Sequence, residues 1–362
     1  MSSLLSSKSE SITATRRPNA LPPPPKEVLA RTLRVETISV EWLAGDGSDR
    51  CYYRLSSDEL SDSFVLMQLS GSDAEALKSD GYDWIKVANI LASYNIPVPR
   101  LCHAIPDYAA LIIEDYGDVM LESRVLDAWD QNRKSEIEAY YLGCFQVITK
   151  LIQIPANANE VWCKRAFDVE KYSWELNFFF DQYLSQVLKT ELPANERDQF
   201  RNEVLALSKF LGSFSKFFVH RDFHSRNIMV KDQKLALIDF QDARLGAASY
   251  DLGSLVFDNY VPIDFTFRKS LLDEGMKVIK QALDKSQQEA LQMQYKAVIL
   301  QRQIKAIGTY GFLTFNKKRG NYLKYVAPAL STLRPELIYD PRWPFLSEKL
   351  IAILQKNLPN DC

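Results

Sequence analysis

The chain has 362 residues, 46% of them hydrophobic, with 44 Lys and Arg against 46 Asp and Glu and a formal net charge of -2. A chain of this size can bury a large core, and its near-neutral balance offers no electrostatic footprint for nucleic acid or an acidic membrane surface. No apolar run approaches the ~20 residues of a membrane-spanning helix, and five cysteines (Cys51, Cys102, Cys144, Cys163 and Cys362) without C-x-x-C spacing argue for reduced thiols in a cytoplasmic protein, against a disulfide framework and against a zinc site.

Residues 1–26 combine serines, Arg16-Arg17 and the run Pro22 to Pro25 without apolar periodicity. They read as a disordered tail with a stiff polyproline stretch, a segment that a proline-recognising partner could bind. β-rich runs at Thr37 to Leu43 and Cys51 to Leu55 flank AGDGSDR as a hairpin with a glycine tip, and a third strand follows at Phe64 to Leu69. An amphipathic helix is predicted around Gly81 to Tyr94. Leu111 to Asp118 runs an apolar strand into carboxylates and a glycine. Helical spacing recurs from Ser135 to Ile154, closed by Pro155, and again in the aromatic-rich Phe167 to Leu188. Its aromatics, Trp174, Phe178, Phe179, Phe180 and Tyr183, read as packing residues, while Glu170, Glu175 and Asn177 are polar neighbours that a single sequence does not orient.

The next segments carry chemistry. In HRDFHSRNIMV, Asp222 stands five residues before Asn227, and the apolar run Leu235 to Ile238 ends in Asp239. Each pair alone is ordinary at turns and strand ends. Together with a third aspartate, Asp251 in YDLGSL, they form the D-x-x-x-x-N and D-F-x pairing of a phosphotransfer centre. Transfer of a γ-phosphoryl group needs an aligned acceptor hydroxyl and neutralised polyphosphate charge. Asp222 suits the first task. The amide oxygen of Asn227 and the carboxylate of Asp239 suit Mg²⁺, a hard cation that takes oxygen ligands. His220 and His224 flank the aspartate without any H-E-x-x-H pattern, so a zinc role is not indicated.

With that centre in place, the earlier elements take on candidate roles. Gly45, Gly47 and Ser48 suit a loop over nucleotide phosphates, as well as a plain turn. The backbone of Glu114, Asp115 and Tyr116 suits an adenine-facing connector. The third strand holds Met67 and Gln68 where many kinases carry a phosphate-pairing lysine. Arg50 and Arg54 are the nearest replacements, and read equally as surface arginines of a hairpin. Arg302, Lys305 and Tyr310, in a late helical segment, are candidates for the acceptor side or for the core.

The chain resembles the aminoglycoside/choline phosphotransferase superfamily, and within it bacterial kinases of N-acetylmuramate and N-acetylglucosamine. The likeness spans about residues 37 to 335 and is carried by GDGSDRCYYRL, IPVPRLCHAIPDYAALIIEDYGD, FDVEKYSWELNFFFDQYL, IDFQDARLGAASYDLGSLV and LQRQIKAIGTYGFL. It implies an α+β, bilobal, protein-kinase-like fold. A small antiparallel-sheet lobe (27–117) and a larger helical lobe (118–362) would hold ATP and Mg²⁺ between them. On matched positions it makes Asp222 the catalytic aspartate, Asn227 and Asp239 the metal ligands, and Asp251 the anchor of the catalytic loop. Gln241 takes the place of the glycine in the kinase DFG motif, and His220 and Arg221 shape the loop. The implied reaction is phosphorylation of a sugar hydroxyl, in particular the anomeric one, in cell-wall recycling. An aminoglycoside or choline-type kinase and a non-catalytic nucleotide-binding scaffold are the competing readings.

Overall fold

Alternating apolar residues build the N-terminal sheet. Along β2 (Cys51–Ser56), Cys51, Tyr53 and Leu55 point inward between more exposed neighbours, the period-2 pattern of a half-buried strand. This computed structural model describes residues 22–44, 50–79 and 81–358, so Gly45, Gly47, Ser48, the tail before Pro22 and Cys362 lie outside the described residues. Five strands pair antiparallel in the order β1 (Ser39–Ala44), β2, β3 (Phe64–Gln68), β5 (Ala110–Glu114), β4 (Leu101–Ile105). The register sets Tyr53 opposite Leu66 and Leu66 opposite Ile112, which stacks apolar side chains across three strands on one face. Against them packs α1 (Lys26–Leu33), through Leu29 and Ala30. The proline run starts this helix: Pro25 sits at its N-cap with φ -52°, and its carbonyl accepts from the N–H groups of Val28 and Leu29.

Contacts divide the chain into two compact units, one running up to Tyr82 and including Arg100–Asp115, the other comprising Asp83–Pro99 and everything from Tyr116. The first unit holds the sheet, α1 and α2 (Gly71–Lys78). The helix expected around Gly81 to Tyr94 forms as α3 (Asp83–Ser93) and groups with the second unit rather than with residues 27–117. The reasons are local. Asp83 pairs with Arg165, the Trp84 ring lies 5.2 Å from that of Phe240, and Leu237 N–H donates to Pro97 O at 2.8 Å.

The rest of the second unit is mostly helical: α4 (Leu121–Asp130), α5 (Lys134–Ile152), α6 (Val169–Phe179), α7 (Ala194–Gly212), α8 (Tyr250–Val256), α9 (Phe265–Lys280) and α10 (Lys285–Phe315) lead its order. The predicted segment Phe167 to Leu188 becomes α6 followed by a π-helical stretch, Phe180–Ser185. N-caps explain where the helices begin. Asp168 accepts from Lys171 N–H, Asp264 from Phe267 N–H, and Asp284 forms a reciprocal capping box with Gln287 at the head of α10. The fold is of the α+β kinase-like class: an antiparallel sheet followed by a largely helical remainder. Among the described residues, no helix is long and apolar enough to cross a membrane.

Candidate active site

Two short hairpins in the second unit set the site. β6 (Phe217–Val219) pairs with β9 (Arg244–Gly246), while β7 (Ile228–Lys231) pairs with β8 (Lys234–Leu237). The chain therefore leaves β6 into the loop His220–Asn227, returns through the β7–β8 hairpin and enters β9 by way of Ile238–Ala243. Nesting one hairpin inside the other brings the two loops side by side. Ile238 N–H donates to Asn227 O at 3.0 Å, and His220 Nε2 lies 3.0 Å from Ile238 O.

Two buried carboxylates, one in the first turn of α8 and one just past its end, suspend the first loop. Asp251 accepts from the N–H groups of His220 at 2.7 Å and Arg221 at 3.1 Å. Asp258, just past the helix, accepts from Ser225 N–H at 2.9 Å and from its hydroxyl, and its other oxygen takes Tyr260 N–H at 2.9 Å. The bonds from Asp251 hold Arg221 at φ +83°, in a region that costs a non-glycine residue strain. Sequence reading found Asp251 and missed Asp258, although the two stand seven residues apart, in the first turn of α8 and just beyond its last.

Asp222 is held between cations. Its Oδ1 lies 3.3 Å from Lys305 Nζ on α10 and its Oδ2 3.8 Å from Arg221 Nε. Burial works to raise its carboxyl, but Lys305 and then Arg221 outweigh it and keep the group well below the usual carboxylate range. Burial pushes His220 and His224 down, so both imidazoles are neutral at pH 7. Arg221 also pairs with Asp242 at 3.0 Å.

Asn227 donates its amide Nδ2 to Asp222 O at 2.9 Å, so that its oxygen is the atom a cation could take. Asp239, at φ +62°, accepts from Gln241 Nε2 at 2.8 Å, and Gln241 Oε1 is buried without a partner among the described residues. An amide oxygen and a carboxylate from adjacent loops are hard oxygen donors, so this pair fits Mg²⁺. Arg165, another residue that sequence reading missed, buttresses the second loop by donating to Gln241 O at 2.8 Å while pairing with Asp83.

The remaining candidates divide by burial. Glu175 is buried, accepts from Gln301 Nε2 at 2.9 Å and lies 3.7 Å from Lys171 Nζ. Arg302 is buried on α10, donating through Nε to Ser254 Oγ at 2.6 Å, with Nη1 unpartnered among the described residues. Glu170 is exposed on the first turn of α6. Asn177 is exposed too and folds its amide back onto Ser173 O. The aromatics of this segment also split. Phe179 and Tyr183 are buried as read, whereas Trp174 is 54% exposed and Phe178 and Phe180 are only half-buried, which corrects their reading as core.

In the first unit, Arg54 donates to both oxygens of Asp115, at 2.6 and 3.2 Å, and Ser63 Oγ adds a third bond to the same buried carboxylate. Arg50 makes two bonds to Asp73, at 2.9 and 2.8 Å, with its guanidinium 5.8 Å from the Tyr82 ring centre. Glu114 pairs by backbone with Arg100. Tyr116, half-buried, opens the second unit. Gln68, at the expected lysine strand, is buried and donates to Tyr108 O and Ala109 O.

The family model for APH, the phosphotransferase enzyme family, matches residues 39–276. The chain belongs to this phosphotransferase family. The match covers both loops of the site and the whole N-terminal sheet of this phosphotransferase. Among curated relatives, it is 28% identical over 218 residues to an N-acetylmuramate/N-acetylglucosamine kinase of Neisseria meningitidis, covering 60% of this chain and 61% of that one. A Pseudomonas aeruginosa protein of the same name is 28% identical over 219 residues, 60% of this chain and 59% of its own. The phosphotransferase thus spans about three-fifths of the length of the curated relatives it matches. Its fold is similar to those of a Plasmodium vivax ethanolamine kinase (TM-score 0.57, 12% identity, 83% of each chain) and an amicoumacin kinase (TM-score 0.52, 15% identity, 86% of this chain and 88% of that one).

Proposed function

We propose that this phosphotransferase is a cytoplasmic ATP-dependent small-molecule kinase that transfers the γ-phosphoryl group to a hydroxyl of N-acetylmuramate or N-acetylglucosamine, at the anomeric position, in cell-wall recycling. The observation that carries the reading is the pairing of the ionised Asp222 carboxylate with the two oxygen donors Asn227 and Asp239 on adjacent loops. The relatives' names support the sugar.

In this reading Asp222 accepts the hydrogen bond of the acceptor hydroxyl and aims an oxygen lone pair at the γ-phosphorus. A bond forms between that oxygen and phosphorus, the bond from phosphorus to the bridging oxygen breaks, ADP leaves, and the hydroxyl proton is given up through Asp222. A carboxylate held this far below its usual range is a weak base, so its contribution is chiefly orientation. An anomeric hydroxyl, more acidic than an ordinary alcohol, suits such a partner. Mg²⁺, held by Asn227 and Asp239, would supply charge neutralisation for the phosphates.

Charge alone does not select the acceptor. Lys171, Arg221, Arg244 and Lys305 lie in mutual electrostatic reach around Asp222 and Glu175. Asp242 shares Arg221 with Asp222, so these charges are largely neutralised within the centre, and the choice of an N-acetylated sugar rests on the relatives' names rather than on this balance. The test is ADP release with Mg-ATP and a panel of N-acetylmuramate, N-acetylglucosamine, other hexoses, choline and kanamycin, beside Asp222→Asn. Phosphorylation of an N-acetylated sugar that the variant loses supports the reading. Phosphorylation of kanamycin or choline alone refutes it.

A further inference from the structure

The exposed face of α6 carries an aromatic surface that the core does not use. Lys171, Trp174 and Phe178 are spaced three and four residues apart and so share one face, while Leu176 and Phe179 on the opposite side are fully buried. Trp174 stacks on Phe178 with ring centres 5.2 Å apart and planes 24° apart, and Phe178 meets Phe312 of α10 edge-on at 5.4 Å. Lys171 Nζ stands 4.0 Å over the Trp174 ring and 3.7 Å from the buried Glu175. Trp174 is 54% exposed and Phe178 and Phe312 are half-buried, so the three rings form one continuous aromatic face that is partly open to solvent.

The patch leads to the reacting centre. Phe312 lies two turns beyond Lys305 on α10, about 10 Å along the helix axis, and Lys305 Nζ is the cation on Asp222. That span is on the scale of a pyranose ring with its substituents. α6 and α10 are held in register by Gly308, where a Cβ would stand 2.6 Å from the Phe179 backbone, so the ledge and the aspartate keep a fixed separation. Burial lowers the Lys171 ammonium, and Arg221, Arg244 and Lys305 lower it further against the pull of Glu175. An anion placed beside it would relieve that repulsion.

Resting on the sugar-kinase reading above, we propose that Trp174 and Phe178, with Phe312, are the platform for the acceptor's pyranose ring, and that Lys171 is the counter-charge for an anionic substituent on that ring. One face of a pyranose presents a row of C–H bonds, slightly positive, which packs on the electron-rich face of an aromatic ring. A carboxylate on the ring then reaches Lys171, so that N-acetylmuramate is bound in preference to N-acetylglucosamine.

Two measurements on the full chain decide it. Tryptophan fluorescence is titrated with each sugar, and steady-state kinetics are run on Trp174→Ala, Trp174→Phe and Lys171→Met. The wild type is expected to show a saturable fluorescence change that Trp174→Ala abolishes. In Trp174→Ala the sugar KM rises by about 10-fold or more with the ATP KM unchanged, and Trp174→Phe restores most of it. Lys171→Met raises the N-acetylmuramate KM more than the N-acetylglucosamine KM, and an equal rise for both sugars overturns its role as the counter-charge. Unaltered sugar KM in Trp174→Ala, in an enzyme that phosphorylates the sugar, overturns the platform. If neither sugar is phosphorylated, the functional reading fails, and the titration still decides the ledge: a sugar-dependent change lost in Trp174→Ala keeps it, and no change removes it.

Discussion

Lys305 Nζ lies 3.3 Å from Asp222 Oδ1, across 83 residues of sequence. The lysine is brought there by α10 and the aspartate by a loop hung from α8. The pair sets a lysine directly against the Asp222 carboxylate, in a chain whose third strand has none.

Replacing Lys305 by Met removes the cation that contributes most to lowering Asp222. The carboxyl then rises, and the acid limb of kcat/KM moves to higher pH. We expect kcat to fall about 100-fold, the scale seen when one charge-stabilising group is lost, with partial recovery in Lys305→Arg. Because the folded value of Asp222 is depressed, its stabilising contribution is present above the unfolded carboxylate value and lost as pH falls through the folded value. The wild type's stability margin over Lys305→Met should therefore shrink in strong acid. A pH profile that does not move in the variant would rule out the electrostatic role.

Asp251 behaves in the opposite sense. Burial pushes its carboxyl up to about 7, although the His220 and Arg221 N–H groups pull it down. A raised folded value favours the protonated form, so this contribution is full below about pH 4 and lost as pH rises through 7. Asp251→Asn can accept with one atom only and should cost about 1–3 kcal/mol at pH 5, with a smaller penalty at pH 8. Urea denaturation at both pH values checks this, and a penalty that grows with pH would contradict it.

Arg226 grips Glu122 with two bonds, at 2.9 and 2.7 Å, donates to Tyr325 Oη at 2.7 Å, and lies 3.9 Å over the Tyr260 ring. A lysine cannot reproduce this fork and stack. Arg226→Lys is expected to destabilise by about 1–2 kcal/mol, and a double-mutant cycle with Glu122→Gln to return a coupling of similar size. A coupling near zero would reduce the pair to surface chemistry.

Gly308→Ala sets two effects against each other. Alanine gains about 1 kcal/mol in helix propensity, but its Cβ would meet Phe179 backbone and Cβ at 2.6 and 2.9 Å. Overpacking against backbone costs about 1–3 kcal/mol or more, so thermal unfolding should show a net loss. Gly143→Ala on α5 meets only the end of Leu235, at 3.2 Å, and should be neutral or stabilising.

The candidate site segment was legible in the chain because its spacing is short-range. Asp222, Asn227 and Asp239 fall within 18 residues, and the hairpin between them leaves the loops little freedom over where to meet. The strands β1, β2, β3 and β5 and the helices α5 and α6 were legible for the same reason, since period and caps are local properties, while β4, with its half-exposed residues, was not read. Helical period alone, however, predicts a buried face without saying which aromatics fill it. Phe179 and Tyr183 went inside while Trp174 did not, because α7 and α10 both pack on α6 and leave uncovered the stripe that carries Trp174.

Partners far apart in the chain had no local signal. Arg54 meets Asp115 across 61 residues, Arg165 meets Asp83 across 82, and Lys305 meets Asp222 across 83. Each is an ordinary charged residue on its own element, and pairing follows from how the elements pack. The same holds for α3, whose amphipathic pattern was plain but whose grouping with the second unit rests on Trp84 against Phe240. The sequence by itself determined the class of fold and the residues suited to phosphoryl transfer, because both depend on spacing along the backbone. Only the tertiary structure decided which charges hold Asp222 ionised and which aromatic face stays open to solvent, because both depend on contacts between helices distant in the chain.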